Sequence, residues 1–392
     1  MIVKNIKFRE IYSHNLLPTV EIEIETSKGK VRASAPIGTS SGFYEAKYLP
    51  LDIIRKKFLE IKKELERKDF KDIIEVDNFL IEFDGTKNFS NIGANLSIAI
   101  SYAFAKAFSL IEGIEIFEYI SQTYKTDQKI PIPVCNVIGG GKHFGGTDFQ
   151  EFLLIGALDK SFKENVKMIR NCYYKIAEIL SKEDKFFSFG RNIESAWITF
   201  LSLKKIVEIL KKVKGELLLG IDVAASTFYD LKKERYEYVK EKMSLSKTEQ
   251  LIFIYNFVKE NEIFYVEDPF FEDDFVSFAT LTKRLENKLI VGDDLYVTNV
   301  ERLKKGIELK ATNGAIVKPN QIGTITQTAE FVKLAKKNNI KIIFSHRSGE
   351  TEDNILAHLA VGFGADYAKI GIAGERTVKI NEFLRIEEIK EL

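Results

Sequence analysis

Residues 315–347 read AIVKPNQIGTITQTAEFVKLAKKNNIKIIFSHR. A short apolar run (315–317) ends on Lys318, and a second (342–344) ends on Ser345, His346 and Arg347. Between them Ile325, Ala329, Val332 and Ala335 recur at helical spacing. The pattern is strand, helix, strand, with each strand closing on a reactive side chain. Four more apolar runs close the same way: 217–220 on Ile221 and Asp222, 263–266 on Glu267 and Asp268, 289–292 on Asp293 and Asp294, and 367–368 on Lys369. Repeated alternation predicts parallel strands joined by crossover helices. An open doubly wound sheet also gathers ligands at strand C-termini. Six strand ends bearing candidate site residues favour a TIM-type barrel, whose active sites lie on that face.

Upstream the pattern is α+β. Val20, Ile22 and Ile24 alternate with Glu21, Glu23 and Glu25, the two-residue period of a strand with one wet face. A Ser-Lys-Gly turn at 27–29 feeds Val31, Ala33 and Ala35, so a hairpin is predicted. Ile54, Phe58, Ile61 and Leu65 follow at amphipathic-helix spacing. Residues 92–110 form the most apolar stretch, but Asn95, Ser97, Ser101 and Lys106 interrupt it, so it reads as a buried helix and not a membrane span. The polar, proline-ended segment 121–133 is the candidate boundary between a domain at 1–128 and one at 129–392.

Composition narrows the class. The chain has 392 residues, 45% hydrophobic, enough for more than one core. Its 58 Lys+Arg nearly cancel 57 Asp+Glu, which gives no electrostatic reason to expect nucleic acid or an anionic membrane as partner. Cys135 and Cys172 cannot build a disulfide scaffold, and the N-terminus lacks a signal-peptide core, so a cytoplasmic location is expected. The Lys-rich stretch 203–214 is the wet face of a helix.

Asp222, Glu267 and Asp293 would bring three carboxylates to one rim, where all-oxygen ligation suits Mg2+. Taken singly, each is equally read as a helix cap or a lysine's partner. Lys318 and Lys369 either neutralise those carboxylates or, beside a divalent cation, lose a proton readily enough to act as a base. A lysine base beside Mg2+ can abstract a proton alpha to a carboxylate while the metal holds the enediolate oxygens. His346, Arg347 and Ser348 suit an anionic group. Five glycines around His143, in 139–146, read as a mobile lid, a close backbone approach or an ordinary turn.

The motifs, in order, resemble those of the enolase family over nearly the whole chain. They are Ala35-Pro-Ile-Gly-Thr-Ser-Ser-Gly42, Pro131-Ile-Pro-Val-Cys-Asn136, Gly140-Gly-Lys-His143 and Gln150-Glu-Phe152. Ile221-Asp-Val-Ala-Ala-Ser226, Val266-Glu-Asp-Pro-Phe270, Val291-Gly-Asp-Asp-Leu295 and Lys318-Pro-Asn-Gln-Ile-Gly-Thr324 follow. Ser345-His-Arg-Ser-Gly-Glu-Thr-Glu-Asp353 and Leu384-Arg-Ile-Glu-Glu388 complete the series. The resemblance implies a modified TIM (β/α)8 barrel preceded by an N-terminal α+β capping domain. It also implies a homodimer or larger even-numbered oligomer. The expected activity is a Mg2+-dependent lyase on a small phosphorylated carboxylate, interconverting 2-phosphoglycerate and phosphoenolpyruvate. Carried over by position, Asp222, Glu267 and Asp293 match ligands of the tightly bound Mg2+, and Ser40 a lid residue at a second one. Lys318 matches the base. Lys369, His346, Arg347 and Ser348 match substrate contacts, and His143 and Glu151 match groups around the leaving hydroxyl.

One motif departs. The family's Gly-Asp-Glu-Gly-Gly loop corresponds to Gly190-Arg-Asn-Ile-Glu194, which puts Asn192 where an acid is expected. Either Glu194 substitutes from two residues away or Glu151 acts alone. Ser13-His-Asn-Leu-Leu-Pro18 also departs, from Asp-Ser-Arg-Gly-Asn-Pro, and Thr227 stands for a Glu. Two further readings stay open: a paralogue with another phosphorylated hydroxy-acid, to which Arg191 adds a contact, and a catalytically silent binding protein.

Overall fold

The structure, a computed structural model, describes residues 3–38, 44–143 and 145–391. Ser40, expected at a second metal, lies outside them.

The N-terminal part opens with an antiparallel meander of β1 (Asn5–Tyr12), β2 (Pro18–Thr26) and β3 (Gly29–Ser34). The β2–β3 hairpin is the predicted one. The charge-rich β1 is an addition, paired along its full length with β2 from Asn5↔Glu25 to Tyr12↔Pro18. Val20, Ile22 and Ile24 are fully buried. On the other face Arg9 reaches Glu21 and Glu23 at 2.7 and 2.8 Å, and Arg32 reaches Glu23 at 2.7 Å. Hydrogen bonds from Arg32 and Arg9 hold the Glu23 carboxyl down to about 2.

Four helices follow: α1 (Leu51–Arg67), α2 (Ile73–Asp84), α3 (Ala94–Glu112) and α4 (Ile116–Tyr124). Helix α1 buries the four apolar residues its spacing singled out. Among the described residues α3 alone is long and apolar enough to cross a membrane, but 83% of its apolar window is buried in the fold, against β2 and β3. It is a core helix. Segment 121–133 comprises the end of α4, a connector and the first residues of the next strand.

The remainder alternates as predicted. It runs β4 (Ile132–Gly139), β5 (Glu151–Ile155), α5 (Phe162–Glu183), β6 (Trp197–Ile198), α6 (Leu203–Val213) and β7 (Leu218–Asp222). A small meander comes next: β8 (Tyr229–Asp230), β9 (Arg235–Tyr238) and β10 (Met243–Ser246). Then come α7 (Lys247–Glu260), β11 (Tyr265–Glu267), α8 (Phe275–Arg284), β12 (Leu289–Gly292), α9 (Val300–Leu309) and β13 (Gly314–Val317). The chain ends with α10 (Ile325–Lys337), β14 (Lys341–Ser345), α11 (Ile355–Gly362), β15 (Tyr367–Lys369) and α12 (Thr377–Glu391).

Strands β4, β5, β7, β11, β12, β13, β14 and β15 pair in that order, and β15–β4 closes the ring into a barrel; β6 pairs outside it on β4. A separate apolar cluster with residues from most of these strands, among them Val134, Leu153, Tyr265, Val291, Ile316 and Ile343, fills the interior. The all-parallel expectation fails at one strand. β5 runs antiparallel to both β4 and β7. No α-helix lies between β4 and β5, and a parallel pair needs a crossover. The reversal has a consequence for chemistry: the first residue of β5 reaches the rim where the other strands end. Glu151 therefore lies in register with Asp222 on one side and Gly139 on the other.

Candidate active site

At the C-terminal rim the barrel brings Glu151, Asp222, Glu267, Asp293, Lys318, His346, Arg347 and Lys369 to successive strand ends. His143, Ser348, Glu194 and Glu45 join most of them around one cleft of about 570 Å3, open mouth included. Every described residue of the expected site borders that cleft except Glu267, which is fully buried and meets the cleft-lining Lys369 at 2.9 Å.

Positive and negative charge interlock here. The Lys369 ammonium lies 2.9 Å from both Asp222 and Glu267 and 3.2 Å from Glu151. Lys318 donates to Asp293. Burial favours the neutral amine in both lysines, but the facing carboxylates outweigh it: the Lys369 pKa stands well above its ordinary value and that of Lys318 is raised. Carboxylates still outnumber the cations. Burial and the neighbouring Asp222 push Glu267 up to about 8, and burial with Asp293 pushes Asp294 up to about 7.

Three oxygens, one each from Asp268, Asp293 and Asp294, lie within 4.8 Å of one another. Asp268 is occupied with structure: its carboxylate accepts from the backbone N–H of Asp293 at 3.0 Å and of Asp294 at 2.6 Å. That grip, on a residue at φ 41°, fixes where Asp293 points. Asp293 Oδ1 is buried with no hydrogen-bond partner among the described residues. A buried, unpaired carboxylate oxygen in an over-acidic, all-oxygen cluster fits a hard divalent cation.

Another part of the cleft wall is built by the loop that departs from the expected motif. Asn192 does not reach the cleft. Its Oδ1 accepts from the backbone N–H of Glu194 at 3.0 Å and of Ala196 at 2.9 Å, so the side chain builds the turn. Its amide packs where a Cβ on Gly139 would stand, 2.0 Å away, so a larger residue there would displace the Asn192 side chain. Glu194 enters the cleft instead. One atom each of His143, Glu151 and Glu194 lies within 4.8 Å of the others. Burial drives both His143 and His346 toward the neutral form. Arg191 lies outside, 4.9 Å over the Trp197 ring and exposed, so it makes no contact with the cleft.

Across the cleft Arg347 pairs with Glu45 at 3.2 Å, and Arg376 donates to the carbonyls of Arg347 at 2.6 Å and Ser348 at 3.2 Å. The backbone of Ile37 pairs with Gly349 in both directions at 2.8 Å. The glycines of 139–146 are a close backbone approach: a Cβ on Gly140 would meet Phe149 O at 2.4 Å, and one on Gly145 would meet Gly139 O at 2.1 Å.

Residues 127–391 match the family described as "Enolase, C-terminal TIM barrel domain", and residues 3–120 match "Enolase, N-terminal domain". The chain belongs to the enolase family. A protein named enolase from Methanosphaera stadtmanae is 39% identical, the match covering 99% of this chain and 97% of that one. Enolases of Pyrobaculum aerophilum (39%, covering 96% and 94%) and Picrophilus torridus (40%, covering 98% and 98%) are similar. Membership makes the chain an enzyme of the hydro-lyase class, and enolases as a family use a divalent metal. Against that pattern Glu194, Asp268, Asp294, Arg376 and Glu45 are additions from the structure. Glu194 was visible only as an acid two residues off register. Arg376 and Glu45 are remote in sequence and carried no local signal.

Proposed function

We propose that this enolase-family chain interconverts 2-phosphoglycerate and phosphoenolpyruvate with Mg2+, using Lys318 as base and Glu151 on the acid side. The observation that carries this reading is the order of the rim. Lys318 follows β13 and Glu151 opens β5, four places apart in a ring of eight, so proton removal and hydroxide loss can proceed from opposite sides. Asp222, Glu267 and Asp293 lie on the arc between them, and His346, Arg347 and Lys369 on the other arc.

Asp222, Glu267 and Asp293 would hold the Mg2+. When bound, it supplies the positive charge the carboxylates now draw from Lys318 and Lys369, and it steadies negative charge on the substrate carboxylate. Lys318, relieved of Asp293, takes the C2 proton. Arg347, with Ser348 and His346, binds the phosphate; Arg offers it two parallel donors. Lys369 faces the substrate carboxylate. Burial, with help from the neighbouring carboxylates and against the pull of Lys369, raises the Glu151 pKa well above its ordinary value and so favours its protonated form. His143, neutral beside it, borders the departing hydroxyl. The burial of these side chains strengthens each of these interactions.

Residues 1–128 act as a cap and 129–392 carry the chemistry. The seam supports a rigid cap: Ser34 N donates to Asp353 at 2.9 Å and Lys106 pairs with Asp353 at 2.8 Å. Ser40 would reach a second Mg2+ from the lid. A cytoplasmic homodimer, or a larger even-numbered oligomer, fits the exposed Phe186, Phe189 and Phe200, apolar side chains that a partner copy would cover. The test is turnover: purified protein with 2-phosphoglycerate should form phosphoenolpyruvate with Mg2+ and stop when it is chelated. No product under either condition would sink the reading.

A further inference from the structure

Arg376 is fully buried, and it does not border the cleft that Arg347 and Ser348 line. A guanidinium is costly to bury unless it is paired and hydrogen-bonded. This one sits in the tight turn Gly374–Arg376, between β15 and α12. Glu375 lies 2.9 Å from its Nε and supplies the opposite charge. Its stem passes Gly371, which is held at φ 68° and where a Cβ would stand 2.9 Å from Arg376 Cγ. The two terminal nitrogens face the loop that follows β14. Nη1 donates to the Arg347 carbonyl at 2.6 Å and Nη2 to the Ser348 carbonyl at 3.2 Å.

Those carbonyls belong to consecutive peptide planes, and each plane is rigid. Holding both sets the direction in which the Arg347 and Ser348 side chains leave the backbone. The plane before Arg347 is held too. Its N–H donates to Glu350 at 2.8 Å, and Lys379 pairs with Glu350 at 2.8 Å. The Ser348 carbonyl has a second donor, Asn15 Nδ2 at 3.1 Å. Asn15 stands in the altered N-terminal motif where the family pattern has Arg. The short amide shares the carbonyl that Arg376 holds, which gives that departure a use.

We propose that Arg376, helped by Asn15, is a positioning residue for anion binding: its fork holds the loop backbone so that Arg347 and Ser348 present their donors to the substrate phosphate. The inference rests on the enolase reading above and deepens it. A forked contact with phosphate depends on direction, so a small rotation of the loop loses it. Lys318 and Lys369 follow other strands, and their places do not depend on this loop. The charge of Arg376 alone does not suffice. A lysine there keeps the charge but is a point donor without the planar fork that spans two carbonyls.

The test separates phosphate binding from the rest of the site. Wild type, Arg376→Lys and Arg376→Met, all with Mg2+, are compared for binding of inorganic phosphate and for KM and kcat on 2-phosphoglycerate. Inhibition by glycerate, which has the carboxylate and hydroxyls but no phosphate, is the internal control. Phosphate binding and KM should weaken about 10–100-fold in both variants, the usual worth of hydrogen bonds from a charged donor, while kcat and glycerate inhibition stay within about threefold. No phosphate binding in wild type, unchanged binding in Arg376→Met, full retention in Arg376→Lys, or equal weakening of glycerate and phosphate overturns the proposal. Should both variants fail to fold, Asn15→Ala removes the second donor to the same carbonyl and should show the same split at about threefold to tenfold. Absence of that split overturns the proposal as well. Phosphate binding needs no turnover, so a wild type that binds phosphate yet neither exchanges nor dehydrates 2-phosphoglycerate defeats the enolase reading and not the positioning role.

Discussion

Glu151 and Asp222 sit side by side in antiparallel register on the barrel rim, and Lys369 reaches both, at 3.2 and 2.9 Å. That pairing exists only because β5 is reversed. In a parallel β5 the rim position would fall to the strand's last residue, Ile155, and no β5 carboxylate would stand beside Asp222. The reversal therefore sets an acid residue beside the metal-binding candidates and four strands from Lys318.

The crowded carboxylates predict how metal and stability are linked. Glu267 has its folded pKa raised from 4.5 to about 8. Across that interval the folded protein binds more protons than the unfolded chain, so this group's contribution to stability falls as pH rises from about 4.5 through about 8 without metal. Saturating Mg2+ at pH 8 should raise the melting temperature by a few degrees, since about 100 Kd of ligand contributes about 2.7 kcal/mol. Glu267→Gln should lose the Mg2+ shift and melt no lower than metal-free wild type. Calorimetry with and without Mg2+ checks both; a full Mg2+ shift in Glu267→Gln would contradict the assignment.

A second pH effect belongs to the seam between the N-terminal part and the barrel. Asp77 of α2 accepts from the backbone N–H and hydroxyl of Thr326, at the start of α10, at 2.8 and 2.7 Å. Burial raises its pKa from 3.8 to about 6 despite these bonds. The folded state again holds the proton longer, so stability is present below about 3.8 and lost as pH rises through about 6. Asp77→Asn keeps an accepting oxygen without the charge. It should be more stable than wild type at pH 7.5, by an amount on the order of 1–3 kcal/mol, and the gain should vanish near pH 4. Denaturant melts at the two pH values decide; a variant less stable at both would refute the sign.

His14 ties the N-terminal meander to the acid loop through the Ile193 carbonyl. His14→Ala removes that bond, together with the ring's contacts to the Glu350 carbonyl and to Glu375, each at 3.3 Å, and substitutes no residue of the cleft lining. Dehydration should fall about tenfold with C2 exchange nearly unchanged, and stability should drop by about 1 kcal/mol. Equal falls in exchange and dehydration would mean that His14 supports the whole site and not the acid loop.

Much of this was legible beforehand, for physical reasons. Strand ends show in sequence because an apolar run must stop where a rim begins, so Asp222, Glu267, Lys318 and Lys369 stood out individually. The reversal of β5 did not, because a five-residue buried strand reads the same in either direction. β1 was hidden because its outward face alternates Lys and Arg, charges that Glu21 and Glu23 satisfy only across the sheet. Asn192 and Glu194 mark the remaining gap. Motif alignment scores positions, whereas a turn can exchange which of its residues points inward. Here the Asn192 side chain bonds backbone, and Glu194 takes the inward place.

The most direct measurement of the split site is C2 exchange and dehydration of 2-phosphoglycerate in wild type, Lys318→Ala and Glu151→Gln, with Mg2+ in deuterated water. Wild type should do both, Lys318→Ala neither, and Glu151→Gln should exchange while barely dehydrating. Exchange that survives in Lys318→Ala would contradict the account.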